Sequence, residues 1–281
     1  MILGPADADS RSSSGPSEGG DFPYWLVAAA ILGVWFAWSI YSDDTLALIF
    51  SRVKEGIYIT VLVTVVSFIC ASTIGLALAV GVLSKSLILR QICRFYIEIV
   101  RGIPILVLLF YIAFAAVPLG VEAWNYATAG LQESGYLNEL RTRDIPFLTR
   151  AMMALTIGYS PFIAEVFRAG IQSVDKGQIE AATALGLRPW ARFRTIIFPQ
   201  AIRTILPPLG NDFIAMIKDS SLVSVLGVAD VAQLAKLYAA GTFRYLETYT
   251  IVAYIYLILT LGLSLALRAL ERRLRSGQGR Q

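Results

Sequence analysis

The residues able to do chemistry in this chain are few, and they are charges set among apolar neighbours. Lys218 and Asp219 stand side by side in an otherwise hydrophobic stretch, with Asn211, Asp212, Ser220 and Ser221 close by. An ionised group at the centre of a bilayer costs roughly 2.5–3.5 kcal/mol on insertion scales, so both must face protein or water. Adjacent residues on a helix point about 100° apart, so the pair cannot simply neutralise itself. Two readings fit. Asn211, Lys218, Asp219, Ser220 and Ser221 line a solute path or its gate, or they form a packing network between spans. Glu165 and Arg168, three apart in another apolar segment, have the spacing of a local helical ion pair, and Glu165 is a further candidate for the path.

Catalysis has no comparable support. The chain has no histidine, the commonest metal ligand and general base. Its two cysteines, Cys70 and Cys93, have no partner at metal-ligand spacing and read as packing residues. No G-x-x-x-x-G-K-[ST] loop is present to cradle a nucleotide. The expectation is a transport subunit rather than an enzyme, with no metal and no cofactor of its own. Any ATP would be bound by a partner.

A third group lies in residues 178–199, QIEAATALGLRPWARFRTIIFP. Alanine at 181, 182 and 184 favours a short helix. Gly186 can take the left-handed conformation that ends one, and Pro189 suits the first turn of the next. Pro199 and the Pro207-Pro208 pair are expected to interrupt helix propagation. The prediction is a compact elbow whose small side chains let another protein approach, with Glu180 as a hydrogen-bond acceptor. From composition alone, an amphipathic helix resting on the membrane with Trp190, Phe193 and the arginines also fits.

The elements that must hold these residues are membrane spans. The chain of 281 residues is 56% hydrophobic, with a mean hydropathy of +0.64. Its apolar residues fall in runs near the roughly 20 residues needed to cross a bilayer. The runs lie at about 24–41, 57–83, 103–117, 148–169, 205–228 and 246–267. The third is short, and its start is expected to reach back toward Tyr96, bringing Glu98 and Arg101 near the interface, able to snorkel or to pair one turn apart. Residues 118–147 read as an external loop or surface helix. Residues 1–21 are Gly-, Ser-, Pro- and Asp-rich and are expected to be disordered. They lack the cationic start of a signal peptide, so the first run reads as an uncleaved span.

The net charge is +4. Its arginines and lysines concentrate in 84–102, 170–204 and the C-terminal tail, and the positive-inside rule makes all three cytoplasmic. Both termini are then cytoplasmic. No basic face with interleaved aromatics stands apart from the membrane flanks, so nucleic acid is not an expected partner.

The spacing in 178–199 is EAA, three residues, Gly, nine residues, Ile, one residue, a hydrophobic residue and Pro. It resembles the EAA loop of bacterial ABC-importer permeases, with Phe198 where that family usually has leucine. Other segments resemble the polar amino-acid importers of that family, the histidine/glutamine permease type. Glu98-Ile-Val-Arg-Gly-Ile-Pro104 is similar to their E-x-x-R-G-T-P. Pro199-Gln-Ala-Ile-Arg203 and Leu206-Pro-Pro-Leu-Gly-Asn211 are similar to P-Q-A-x-R and L-P-P-L-x-N. Lys218-Asp-Ser-Ser-Leu222 is similar to K-D-[TS]-S-L. Ser160-Pro161-Phe162 departs from the Ala-Tyr often found there.

The resemblance implies an all-α integral membrane fold. A five-span type I ABC-importer permease core occupies about residues 50–270, with one extra N-terminal transmembrane helix at 22–42 and a basic cytoplasmic tail at 271–281. It implies that Glu180, Ala181, Ala182, Gly186, Ile196 and Pro199 couple the chain to a dimer of ATP-binding subunits. It also implies a second, identical or homologous permease, an extracytoplasmic amino-acid-binding protein, and a place in the bacterial plasma (inner) membrane. The alternatives are a proton-coupled secondary carrier or a channel not driven by ATP. A carrier would need ionisable relays inside several spans, whereas most charges here fall in loops.

Overall fold

A computed structural model describes residues 24–276 and is helical throughout, with no strand among the described residues. The expected tail at 1–21 lies outside them. Residues 271–276, expected in the C-terminal tail, belong to the last helix.

The first helix, α1 (Tyr24–Ser42), is apolar on every side and buries no residue fully. It leans on the last helix, α12 (Tyr245–Ser276), which it meets through Phe36 stacked on Tyr254 at 5.2 Å. Tyr254 Oη donates to the Gly33 carbonyl at 3.2 Å, and Arg268 lies over the Trp25 ring at 5.1 Å. The chain then turns at Asp43, whose carboxylate accepts from the amides of Thr45 and Leu46 and starts α2 (Asp44–Val53).

Helix α3 (Gly56–Val82) is the long apolar partner of the central helix α7 (Phe147–Gln172). Lipid is as apolar as leucine, so membrane helices associate by close packing rather than by hiding oil from water. The sequence supplies that closeness: Ser67, Ala71, Gly75 and Ala79 recur every fourth residue and are all buried. A β-carbon on Gly75 would lie 3.0 Å from the Ala164 amide nitrogen and 2.9 Å from Ile163 Cγ2. Ser67 Oγ donates to the Met152 carbonyl at 3.2 Å.

Helix α4 (Leu87–Arg101) is N-capped by Ser86 and stops at Gly102, before Pro104. The third span therefore does not reach back to Tyr96, because Pro104 restricts the residue before it and starts a separate helix. Nor does Arg101 pair with Glu98; it lies over the Phe162 ring at 5.3 Å. The span extends forward instead, as α5 (Ile105–Tyr111), a π-helical turn at Ile112–Ala116, and α6 (Val117–Glu133). Half of the expected external loop is thus helix. Cys93 is buried as a packing residue, whereas Cys70 is exposed on α3.

After α7 come α8 (Lys176–Ala184), α9 (Pro189–Arg192), a second π turn at Phe193–Ile197, and α10 (Phe198–Asp219). A 3-10 segment, Ser220–Leu226, leads to α11 (Val231–Thr242), which is capped by the buried Asp230 and followed by α12. Pro199 and the Pro207-Pro208 pair do not break this rod: Pro199 lies in the first turn of α10 and the pair lies inside it. The carbonyls that lose a donor to those two prolines belong to Arg203 and Thr204, which are exposed.

Among the described residues four helical segments are long and apolar enough to cross a membrane, and five if 189–226 and 231–242, bent by 49°, form one span. Helix α7 carries Arg150, Glu165 and Arg168 and is less apolar, but its neighbours cover much of its surface. One core gathers α3, α5 and α7 around Leu109, Leu155 and Ile163. A second joins α2, α11 and α12 around Ile49, Val231 and Ile251.

Candidate functional site

The elbow is built as its residue types require. Asp175 caps α8, accepting from the Gln178 amide at 3.1 Å. Gly186 ends it with φ +76, where a side chain would be strained. The Leu187 amide reaches the Ala182 carbonyl at 3.1 Å and the Gly186 amide the Thr183 carbonyl at 3.0 Å. These two bonds make a Schellman motif, which satisfies the last carbonyls of a helix. Pro189 opens α9.

The two limbs are tied to each other and to the body. Arg192 donates to the Thr183 hydroxyl, and Gln200 Nε2 donates to Gln178 Oε1 at 2.6 Å. Trp190 stacks on Phe193 at 5.7 Å. Beneath them Val174, Ala201 and Ile205 form a small core between the ends of α7 and α10. Of the candidate coupling residues, Ala182 is buried in this joint, while Glu180, Ala181 and Pro199 are exposed and Ile196 is half-buried. Glu180 forms no ion pair among the described residues. Leu185 and Trp190 are 81% and 70% exposed on the same elbow, a large apolar surface left open among the described residues.

The polar stripe of α10 divides into two faces. Asn211 and Lys218, two turns apart, are exposed. Asp212 and Asp219 point instead toward the body, and Tyr159 Oη on α7 donates to Asp219 Oδ2 at 2.7 Å. Asp212 Oδ2 is buried without a hydrogen-bond partner among the described residues. Ser220 does not belong to an open stripe: it is fully buried, and its hydroxyl donates to the Ile217 carbonyl at 2.7 Å. Ser221 likewise donates to its own helix, at the Lys218 carbonyl. The helix stops at Asp219, so a regular α-helical register does not carry the stripe past that point.

Glu165 lies elsewhere. It accepts from Arg168 in an ion pair of 2.5 Å, as the spacing predicts, and lines a groove with α4 rather than with α10.

Arg150 and Tyr159 escaped the sequence reading. Arg150, near the start of α7, is buried and donates to the carbonyls of Ala113 at 2.8 Å, Ile145 at 2.9 Å and Thr142. In the π register Ala113 would accept from residue 118, but Pro118 has no N–H, so the arginine supplies the missing donor. The same logic explains Ser160-Pro161. Pro161 deprives the Ile157 carbonyl of its donor, and Ser160 Oγ and Tyr96 Oη provide 3.0 and 3.4 Å contacts in its place. Arg150 was visible by the rule that singled out Lys218, a charge inside an apolar run; Tyr159 carried no such signal.

Residues 71–276 match the family described as binding-protein-dependent transport system inner membrane component. The glutamine transport system permease protein GlnP of Escherichia coli (strain K12) is 38% identical over 221 residues, covering 79% of this chain and 92% of its own length. The probable amino-acid permease protein YxeN of Bacillus subtilis (strain 168) is 35% identical over 223 residues, covering 79% of this chain and 91% of that protein. Among solved structures, an amino acid ABC transporter with histidines superposes with a TM-score of 0.67 at 37% identity, over 82% of this chain and 99% of the other. The MetNI methionine ABC transporter shares the fold, with a TM-score of 0.62 at 21% identity, over 83% and 99%.

Proposed function

Because the chain belongs to the family of binding-protein-dependent transport system inner membrane components, we propose that it forms the membrane path of an ATP-driven importer for polar amino acids. ATP is bound and hydrolysed by a separate dimer of subunits that docks on the elbow at 178–199. A second, identical or homologous permease completes the path, and an extracytoplasmic binding protein delivers the amino acid. The elbow and both termini face the cytoplasm of a bacterial inner membrane. The five-span core at about 50–270 does this work, and α1 is an added strut at its edge.

The observation that carries the reading is the elbow itself. Its sequence spacing fits the family pattern, its turn is fixed by a left-handed Gly186, and its tip leaves Glu180, Leu185 and Trp190 exposed among the described residues. The joint of Val174, Ala201 and Ile205 ties that tip to α7 and α10 together. A force on the elbow therefore reaches the two helices that the Tyr159–Asp219 bond joins. Alternating access follows as a change in how these two helices sit against those of the second permease.

The test uses vesicles rebuilt with the ATPase and the binding protein. Gly186→Val places a β-branched residue at a backbone conformation that costs about 1–3 kcal/mol, and Glu180→Arg reverses the charge of the tip. Both variants should insert normally yet lose uptake and substrate-stimulated ATP hydrolysis together. Uptake at the wild-type rate in both would remove the coupling role and favour a carrier or channel that runs without ATP.

A further inference from the structure

We propose that the groove between α4 and the elbow end of α7 binds a free amino acid from the cytoplasmic side, through its ammonium and carboxylate groups. The inference rests on the amino-acid importer reading and on the orientation given above. The groove encloses about 370 Å³, within the roughly 300–1,000 Å³ of small-molecule sites. Its α7 wall is a finished network: Arg168 holds Glu165 at 2.5 Å and the Gln172 amide oxygen at 2.6 Å. The α4 wall is unfinished. Arg94 and Glu98 stand one turn apart and exposed, and neither side chain makes an ion pair or hydrogen bond among the described residues. A basic residue four positions before an acidic one is the weaker order for a helical pair.

The groove thus offers one open cation and one open anion about a helical turn apart, facing a polar wall that needs nothing further. An α-amino acid presents the complement. Its carboxylate suits the two-pronged donor of Arg94, and its ammonium suits Glu98. The headgroup of phosphatidylethanolamine carries the same pair of charges. The apolar stripe of α4 argues for the free amino acid. Ile88, Ile92, Phe95 and Ile99 are all exposed on one face, and that face is turned about 100° away from Arg94 and Glu98. A lipid whose tails lie on the stripe does not bring its headgroup into the groove. An amino acid released inward would occupy this site and slow the next cycle, so the site would register accumulated product.

The test places the permease with its ATPase partner in nanodiscs, without the binding protein. One set is phosphatidylglycerol, the other phosphatidylglycerol with phosphatidylethanolamine. Tritiated glutamine and arginine are the probes. Saturable binding of at least one is expected in both lipids, with Kd raised about tenfold or more in Arg94→Gln and in Glu98→Gln, and less in Arg94→Lys. In sealed vesicles, glutamine preloaded on the face opposite the binding protein should slow uptake by the wild type and slow the two glutamine variants less. Binding that both variants leave unchanged overturns the site, as does groove-dependent retention of phosphatidylethanolamine with no amino acid bound. If the rebuilt importer takes up amino acids and the groove binds none, this inference alone fails. If it takes up no amino acid at all, the importer reading fails first.

Discussion

At the scale of single residues, two side chains of α7 hold the structure where its helices are irregular. Arg150 substitutes for the N–H that Pro118 lacks, and it also pins the carbonyls of Thr142 and Ile145. Each buried carbonyl left without a donor costs roughly 1–3 kcal/mol. Arg150→Ala should therefore lower the melting temperature of the purified protein markedly, and Arg150→Lys should lower it less. Pro118→Ala restores a backbone donor to Ala113, so the loss caused by Arg150→Ala should shrink in that background. A double-mutant cycle reads the difference, and strict additivity would show that the arginine does not serve the π turn. Tyr159 and Asp219 form the second test. Their bond joins α7 to α10. Tyr159→Phe and Asp219→Asn should each depress uptake of arginine, glutamine and glutamate by a similar factor. A reordered preference in competition uptake, with arginine hit hardest in Asp219→Asn, would instead make Asp219 a contact for substrate charge.

Among elements, the helix pair α3–α7 and the two π turns decide how the chain packs. The small stripe at 67, 71, 75 and 79 works only if every member stays small. A larger side chain at Gly75 meets the backbone of α7, which cannot rotate aside as a side chain can. Gly75→Val should cut the yield of monodisperse protein in detergent and lower its melting temperature, while Gly120→Val, at a position with open space, should do neither. Equal effects at the two glycines would remove the claim that close approach of α3 and α7 is what Gly75 provides. The π turns at Ile112–Ala116 and Phe193–Ile197 each come just before a proline, Pro118 and Pro199. A wider turn ahead of a missing donor lets the rod continue where a regular α-helix would kink or stop.

For the whole molecule, orientation is the prediction that charge alone makes. With Cys70 and Cys93 replaced by alanine, single cysteines at Ser134, just past α6, and at Lys85, between α3 and α4, report the two sides. An impermeant thiol reagent on intact cells should label the first and spare the second. The reverse pattern would invert the molecule and put the elbow outside, away from ATP. The extra helix α1 touches the body through α2 and α12 and buries no residue fully. At this scale it is an attachment to the core, and the family match begins well after it, at residue 71.

The sequence by itself determined the helical membrane class, the elbow with its left-handed Gly186 and Pro189 start, and the Glu165–Arg168 pair. Each of these is a local matter: apolar run length, φ preference, and side chains one turn apart. Tertiary structure decided the rest. Pro199, Pro207 and Pro208 carry a local signal to stop, yet the rod runs through them, because π geometry and exposed carbonyls accommodate the missing donors. Pro118 does not end its span either, because Arg150, distant in sequence, satisfies the orphaned carbonyl. The stripe of α10 looked like one polar face until packing sent Asp219 to Tyr159 and buried Ser220. A missing hydrogen-bond donor is legible in a sequence, but the group that replaces it belongs to whichever helix packs alongside.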